Sequence, residues 1–141
     1  MKFWDSSAVV PLLIEQDASP RAAGWAAVDA ALVIWTLTPV EVASAFRRLV
    51  RERALEEEAA GRAEARLNEF VHRCHLVIDI EPVKSLAGRL LRTHPLRAFD
   101  ALQLGAAQHW AEGHAQGRTL HTLDARLALA ARREGFLVPS E

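Results

Sequence analysis

Four acidic side chains are the residues of this chain whose types and spacing could do chemistry. Asp5 follows a short apolar segment, Glu41 opens a helical pattern, Asp100 opens another, and Asp124 follows a later apolar segment. Carboxylates that gather raise one another's pKa unless a cation joins them. All-oxygen ligands suit Mg²⁺ or Mn²⁺, ions that activate water for attack on a phosphodiester. We therefore take these four acids as candidate metal ligands and catalytic residues.

The elements that must position these acids follow from the hydrophobic pattern. Short apolar segments alternate with helical periods, which predicts an α/β fold with crossover connections and a parallel sheet covered by helices on both faces. We expect one domain over residues 1–141, built on about five strands. The predicted strands are 2–4, 31–36, 76–80, 119–122 and 136–138, and the predicted helices are 6–15, 19–28, 38–53, 56–73, 82–92, 98–112 and 124–134.

This architecture predicts that the acids converge. In an open parallel sheet the carboxyl ends of the strands and the starts of the following helices face one crevice. Each acid also has a structural explanation: Asp5 and Asp124 could cap helices, and Thr38 with Glu41 forms a capping-box pattern. Asp100 lies among apolar residues, where an ionised carboxylate is costly unless partnered. The joint placement of the four favours a site.

Four segments carry a family resemblance. They are 3–10 (FWDSSAVV), 38–45 (TPVEVASA), 94–104 (HPLRAFDALQL) and 119–124 (TLHTLD). Each resembles a motif of the PIN-domain family, in the family's order, and the third closely resembles the LRAxDALxLA segment common in VapC-type toxins. Together they span nearly the whole chain. Gly105 stands where the family more often has Ala, a difference that we do not expect to affect catalysis.

The resemblance implies a PIN-like fold and a metal-dependent endoribonuclease, the toxin component of a VapBC-type toxin–antitoxin pair. It implies Asp5, Glu41, Asp100 and Asp124 as metal-binding and catalytic acids with Mg²⁺ or Mn²⁺. It suggests Ser6 and Thr122 as supporting hydroxyl donors. It further implies an RNA substrate, a homodimer, and a VapB-like antitoxin whose tail occupies the acidic crevice. The RNA target, the cognate antitoxin and the number of metal ions stay open.

Composition restricts the alternatives. The formal net charge is −1, so no global positive field indicates nucleic-acid binding, and RNA contact must come from a local basic patch or a bound cation. We expect a cytoplasmic protein, since no signal peptide or membrane-spanning segment is evident and the single Cys74 cannot form an internal disulfide. Cys74 lies between His72 and His75, but a structural zinc site needs about four ligands. A reduced, half-buried thiol is the favoured interpretation.

Other residues allow two interpretations. The basic run of Arg47, Arg48, Arg51 and Arg53 is either a solvated face paired with glutamates or a contact for RNA phosphates or an antitoxin. Arg97 precedes Asp100 by three residues and could hold a phosphate at the crevice rim. We expect tryptophans 4 and 35 in the core, tryptophans 25 and 110 on helices where they could form a dimer interface, and histidines 94, 109, 114 and 121 at the surface or in loops.

Rival functions need residues that the chain lacks. A haloacid-dehalogenase-type phosphatase with Asp5 as nucleophile usually needs a second aspartate at position 7, which is Ser7. A receiver-like phosphoacceptor wants paired early acids and a late lysine at a strand end, and neither Lys2 nor Lys84 fits. The non-enzymatic alternative is an inactive PIN-like interaction module, although such a module has no reason to keep all four acids.

Overall fold

A four-stranded, fully parallel sheet lies between helices on both faces in the computed structural model, which describes residues 1–140. The strand order is β3-β2-β1-β4. The strands are β1 Lys2–Trp4, β2 Leu32–Trp35, β3 His75–Val77 and β4 Leu120–His121. The helices are α1 Ser6–Leu13, α2 Ser19–Val28, α3 Thr38–Arg51, α4 Glu57–Arg73, α5 Glu81–Thr93, α6 Ala98–Trp110 and α7 Ala125–Arg133. The predicted fold class is confirmed.

The prediction of a fifth strand at residues 136–138 is wrong, because these residues form only an isolated bridge. Residues 136–138 contribute one parallel bridge, between Thr119 and Leu137, and two backbone hydrogen bonds of 2.9 Å to residues 118 and 120. Pro139 follows at once and has no N–H to continue the ladder. The segment therefore closes the edge of the sheet beside β4 without extending it.

The strands build two cores because successive side chains point to opposite faces. Trp4, Leu32 and Ile34 pack with helices α1 to α4 on one face. Phe3 and Val33 pack with helices α5 to α7 on the other. This alternation within apolar segments is what a parallel sheet buried on both faces requires.

Two expectations about aromatic and imidazole side chains are wrong. Trp25 is buried against Trp4 and His121, with ring centroids 6.1 and 4.4 Å away, so it is not exposed for a dimer interface. His121 lies in β4 and is only 1% exposed, where the sequence suggested a surface or loop position, whereas His94 lies in the loop after α5 as expected, although it is buried. Trp4 and Trp35 lie in the core as expected. No helix within residues 1–140 is long and apolar enough to cross a membrane.

The close packing of α5 on α6 gives a first prediction. A Cβ atom at Gly105 would lie 3.0 Å from the Val83 carbonyl oxygen and 3.2 Å from the Ala87 nitrogen, both in the backbone of α5. Gly105→Val should lower the free energy of unfolding by about 1–3 kcal/mol through overpacking. Gly88→Val, where nothing lies within 4 Å, is the matched control and should change it by less than about 0.5 kcal/mol. Equal effects in urea denaturation would contradict this packing.

Buried His121 gives a second prediction. Burial, with a smaller contribution from Lys2, lowers the pKa of His121 from 6.5 to about 4, so the folded protein keeps it neutral. Between pH 6.5 and 4 the unfolded chain takes up this proton before the folded one does, and stability falls. The stability advantage of the wild type over His121→Gln should therefore shrink by up to roughly 3 kcal/mol across that window. Denaturation at several pH values checks this, with exposed His75→Gln as control, and parallel curves for wild type and His121→Gln would refute it.

Candidate functional site

The four acids lie at the carboxyl edge of the sheet, as the sequence predicted. Asp5 follows β1 directly, and Asp124 follows β4, the neighbour of β1. Glu41 lies in the first turn of α3, which starts after β2 on the other side of β1. Asp100 lies in the first turn of α6. Strand adjacency thus brings to one place residues that are up to 119 positions apart.

Asp5 is the centre of the site and is only 2% exposed. Its Oδ2 accepts the backbone N–H of Ser7 at 3.2 Å, the Ser7 hydroxyl at 2.5 Å and the Thr122 hydroxyl at 2.9 Å. Its Oδ1 lies 3.3 Å from the Ser6 hydroxyl. Asp5 is therefore both the N-cap of α1 and the hub of a hydroxyl network. The predicted supporting residues Ser6 and Thr122 both contact it, whereas Ser7 was missed.

Glu41 joins this network through Ser6, whose hydroxyl donates to Glu41 Oε1. The capping-box explanation of Glu41 is wrong, because the N-cap of α3 is Leu37 and makes no side-chain capping bond. Thr38 instead pairs with the amide of Gln103, whose Nε2 lies 3.0 Å from the Thr38 hydroxyl. Glu41 is therefore directed to the crevice, away from its own helix start.

The buried pair of Thr38 and Gln103 ties together the two helices that carry Glu41 and Asp100. Both side chains are fully buried, and each satisfies the other's hydrogen-bonding groups. Sequence reasoning missed Gln103, although a polar residue between Leu102 and Leu104, one turn after Asp100, is a signal that could have revealed it. We regard these two as positioning residues for the acids.

Asp124 is the N-cap of α7, since its Oδ1 accepts the Leu127 N–H at 2.9 Å. The capping explanation is thus confirmed for Asp124, as it is for Asp5. Its own N–H donates to the Thr122 hydroxyl at 3.0 Å, and that hydroxyl donates to Asp5. A cap role does not remove Asp124 from the site, because its second carboxylate oxygen makes no hydrogen bond within residues 1–140.

The carboxylates interact as one electrostatic group. Burial raises the pKa of Asp5, with a smaller rise from Asp124. Burial and then Asp5, Asp100 and Asp124 raise the pKa of Glu41 to about 7. Burial and then the charges of Asp124 and Asp5 raise the pKa of Asp100, against the opposing effect of Arg97. The site therefore carries more negative charge than its surroundings stabilise.

This donor set fits a divalent cation in kind. The acids offer oxygen ligands to a hard ion, and the raised pKa values report the repulsion that such an ion would relieve. Within residues 1–140, no three His, Cys, Asp or Glu side chains already stand at metal-ligand spacing. The Ser6 hydroxyl lies between the Asp5 and Glu41 carboxylates, and the Ser7 and Thr122 hydroxyls contact Asp5, so we expect side-chain rotation to accompany ion binding.

A cleft of about 420 Å³ opens beside the acids. Glu41, Asp100 and Ser6 line it, and so does Arg97, which the sequence placed beside the crevice. A second cleft of about 220 Å³ includes Thr122 and Asp124. Glu41, Asp100 and Asp124 are therefore accessible from solvent, whereas Asp5 lies buried behind them.

Cys74 lies far from these clefts, at the end of α4. Its thiol is free and half-buried, and burial raises its pKa to about 11. The thiol is thus protonated at neutral pH and is a poor metal ligand. This agrees with the reduced, half-buried thiol that the sequence favoured.

Comparison with known proteins yields structural likeness only. No protein-family model and no curated protein sequence matches this chain. PAE2754 from Pyrobaculum aerophilum is similar over 97% of this chain and 87% of its own, with 20% identity and a TM-score of 0.65. FitAcB from Neisseria gonorrhoeae is similar over 98% and 96%, with 17% identity and a TM-score of 0.67. FitAB bound to an IR36 DNA fragment is similar over 99% of this chain and 94% of its own, with 18% identity and a TM-score of 0.66.

The chain has a PIN-like fold. These neighbours match nearly its whole length and show its α/β architecture, with a parallel sheet flanked by helices. At identities of 17–20% they show the fold and nothing finer. The PIN-like fold expected from the four sequence motifs is therefore confirmed.

The raised pKa of Glu41 gives a third prediction. The pKa of Glu41 is about 7 in the folded protein and 4.5 ordinarily, so ionised Glu41 destabilises the folded state progressively between pH 4.5 and 7. In EDTA at pH 8, Glu41→Gln should raise the free energy of unfolding by about 1–2 kcal/mol, after allowance for solvent screening. The gain should vanish near pH 4. Exposed Glu58→Gln is the control, and a Glu41→Gln gain that is absent at pH 8 would rule out this account.

Proposed function

We propose that this chain is a metal-dependent endoribonuclease and the toxin component of a type II toxin–antitoxin system. The observation that carries the proposal is the gathering of Asp5, Glu41, Asp100 and Asp124 into one electrostatically coupled group at the carboxyl edge of the sheet. Helix capping accounts for some of the hydrogen bonds of Asp5 and Asp124, but it does not explain why Glu41 lines the cleft. A coupled, partly exposed acidic group with raised pKa values is typical of a functional site.

In this proposal the four acids hold Mg²⁺ or Mn²⁺. When bound, the ion supplies a water-derived nucleophile near neutral pH and stabilises charge developing on the phosphodiester. Thr122 orients the Asp5 carboxylate by its hydrogen bond, and Ser6 links Asp5 to Glu41. Arg97 lies where its guanidinium can hold a substrate phosphate.

The partners follow from the same proposal. RNA is the substrate, a VapB-like antitoxin covers the crevice with its tail, and the toxin is a cytoplasmic homodimer. The likeness to FitAB, which was solved bound to DNA, supports an assembly with a DNA-binding component. We assign DNA binding to the antitoxin, because this chain has a formal net charge of −1.

A catalytically inactive PIN-like interaction module is the second candidate. The observation that favours it is that no ligand cage is already assembled within residues 1–140. Metal titration by calorimetry separates the two. The nuclease should bind Mn²⁺ and lose this binding in Asp100→Asn, whereas a module should bind no ion in either protein.

Conservative replacement of the acids gives a fourth prediction. Asp5→Asn and Asp100→Asn should each reduce Mg²⁺-dependent cleavage of single-stranded RNA by about 100-fold or more, since loss of even a second-shell partner typically costs 10–100-fold. Asn keeps the cap oxygen at position 5, so the fold should persist. Cleavage of a labelled RNA checks activity, and circular dichroism checks folding.

The control for this prediction is Asp17→Asn, an exposed aspartate outside the crevice. It should cleave like the wild type. Normal cleavage by folded Asp5→Asn and Asp100→Asn proteins would defeat the assignment of these roles.

A further inference from the structure

The basic run of α3 divides into two faces. Arg47 turns toward α4, where its guanidinium pairs with Glu57 at 2.5 Å and Glu64 at 2.6 Å. Arg48 instead lines the 420 Å³ cleft beside the acids. The solvated-face interpretation therefore holds for Arg47, and Arg48 needs another explanation.

Arg48 belongs to the same stripe of α3 as the acidic site. Glu41, Ser44, Ala45 and Arg48 follow the i, i+3, i+4, i+7 spacing of one helix face, and all four line the cleft. At 1.5 Å rise per residue, Arg48 lies about 10 Å along the helix from Glu41. Its guanidinium makes no hydrogen bond or ion pair within residues 1–140. The Arg48 guanidinium is therefore an unpaired cation in the same cleft as the acids, two helical turns from Glu41.

Phe99 also lines this cleft and is the neighbour of Asp100 in the chain. Its side chain is 43% exposed, so one face of the ring is open to a ligand in the cleft. Burial in the core does not account for this ring, since Phe99 is not among the buried residues of α6, which are Ala101, Gln103, Leu104, Gly105, Ala106 and Ala107. An exposed ring beside a cation and acids offers a flat apolar face to a ligand that also carries phosphate.

An unpaired nucleotide has both a flat base, which can lie on the Phe99 ring, and a phosphate. Aromatic rings stack on unpaired bases, and arginines hold the adjoining phosphates. Bases in a duplex are already stacked on one another and cannot cover Phe99. Gln16 and Ser44 also line the cleft and present polar groups that could meet a base edge. The cleft volume falls within the range of about 300–1,000 Å³ usual for small-ligand sites.

We propose that this cleft holds an unpaired nucleotide of the RNA substrate next to the cleaved bond, with its base stacked on Phe99 and its phosphate held by Arg48. The inference rests on the proposed ribonuclease function and restricts the substrate to single-stranded segments. Phe99 and Arg48 thereby set substrate affinity, while the acids perform the reaction.

The test for Phe99 measures RNA binding by fluorescence anisotropy in the Asp5→Asn background, which prevents cleavage. The probe is a labelled RNA of about ten nucleotides, single-stranded or annealed to its complement. Phe99→Ala should weaken single-strand binding about 10-fold, and Phe99→Tyr should restore it. Leu129→Ala, which removes a side chain that is 46% exposed on α7, is the control. Unchanged binding by Phe99→Ala, or duplex binding as tight as single-strand binding, would overturn the proposal.

The test for Arg48 is the salt dependence of the same binding. Arg48→Gln should weaken binding and reduce the slope of log affinity against log salt by about 0.7, the value for one phosphate contact on a single strand. Arg51→Gln, from the same basic run but outside the cleft, should leave the slope unchanged. An equal effect of the two replacements would contradict the phosphate contact.

Kinetics distinguish failure of this inference from failure of the ribonuclease proposal. In the otherwise wild-type protein, Phe99→Ala should raise KM more than it lowers kcat, because stacking contributes to substrate binding. Unchanged KM in an active enzyme defeats the inference alone. Absence of cleavage by the wild type defeats the ribonuclease proposal, and the binding measurements still decide whether the cleft takes an unpaired nucleotide.

Discussion

The burial of the Asp5 carboxylate at the end of β1 is the constraint on which the rest of the site depends. Burying a carboxylate without a cation is costly, and only hydrogen bonds offset the cost here. Three donors converge on one of its oxygens, from Ser7 and Thr122. The order of the strands follows the same need, because β4 must lie beside β1 for Thr122 to reach Asp5.

The surrounding structure holds the other acids near Asp5 despite the repulsion between their charges. Glu41 and Asp100 are held near Asp5 by helices that are tied through Thr38 and Gln103 and supported by the close approach of α5 at Gly105. Rotation or protonation of a side chain can lessen the repulsion, but the backbone positions of the acids are fixed by two packed cores. A fold that holds like charges together in this way loses stability in the absence of a counter-ion and is ready to bind one.

Much of this arrangement was accessible from the sequence. Alternating apolar and helical segments predict the sheet, and the rule that strand ends share a crevice predicts the meeting of Asp5, Glu41 and Asp124. Pattern alone could not exclude the capping box at Thr38, because its sequence signature is independent of where the side chains turn. The partner that redirects Thr38, Gln103, lies 65 residues away and is set by tertiary packing. The burial of His121 was missed for the same reason, since it depends on neighbours such as Trp25 that are distant in sequence.

The most direct measurement of the central claim is an anomalous difference map from a crystal grown with Mn²⁺. The account predicts a peak in the crevice with oxygens of Asp5 and at least two of Glu41, Asp100 and Asp124 within about 2.5 Å. It also predicts that Ser6 or Thr122 changes rotamer relative to the ion-free protein. A crystal in which Mn²⁺ binds elsewhere, with Asp5 and Glu41 still linked through the Ser6 hydroxyl, would contradict it.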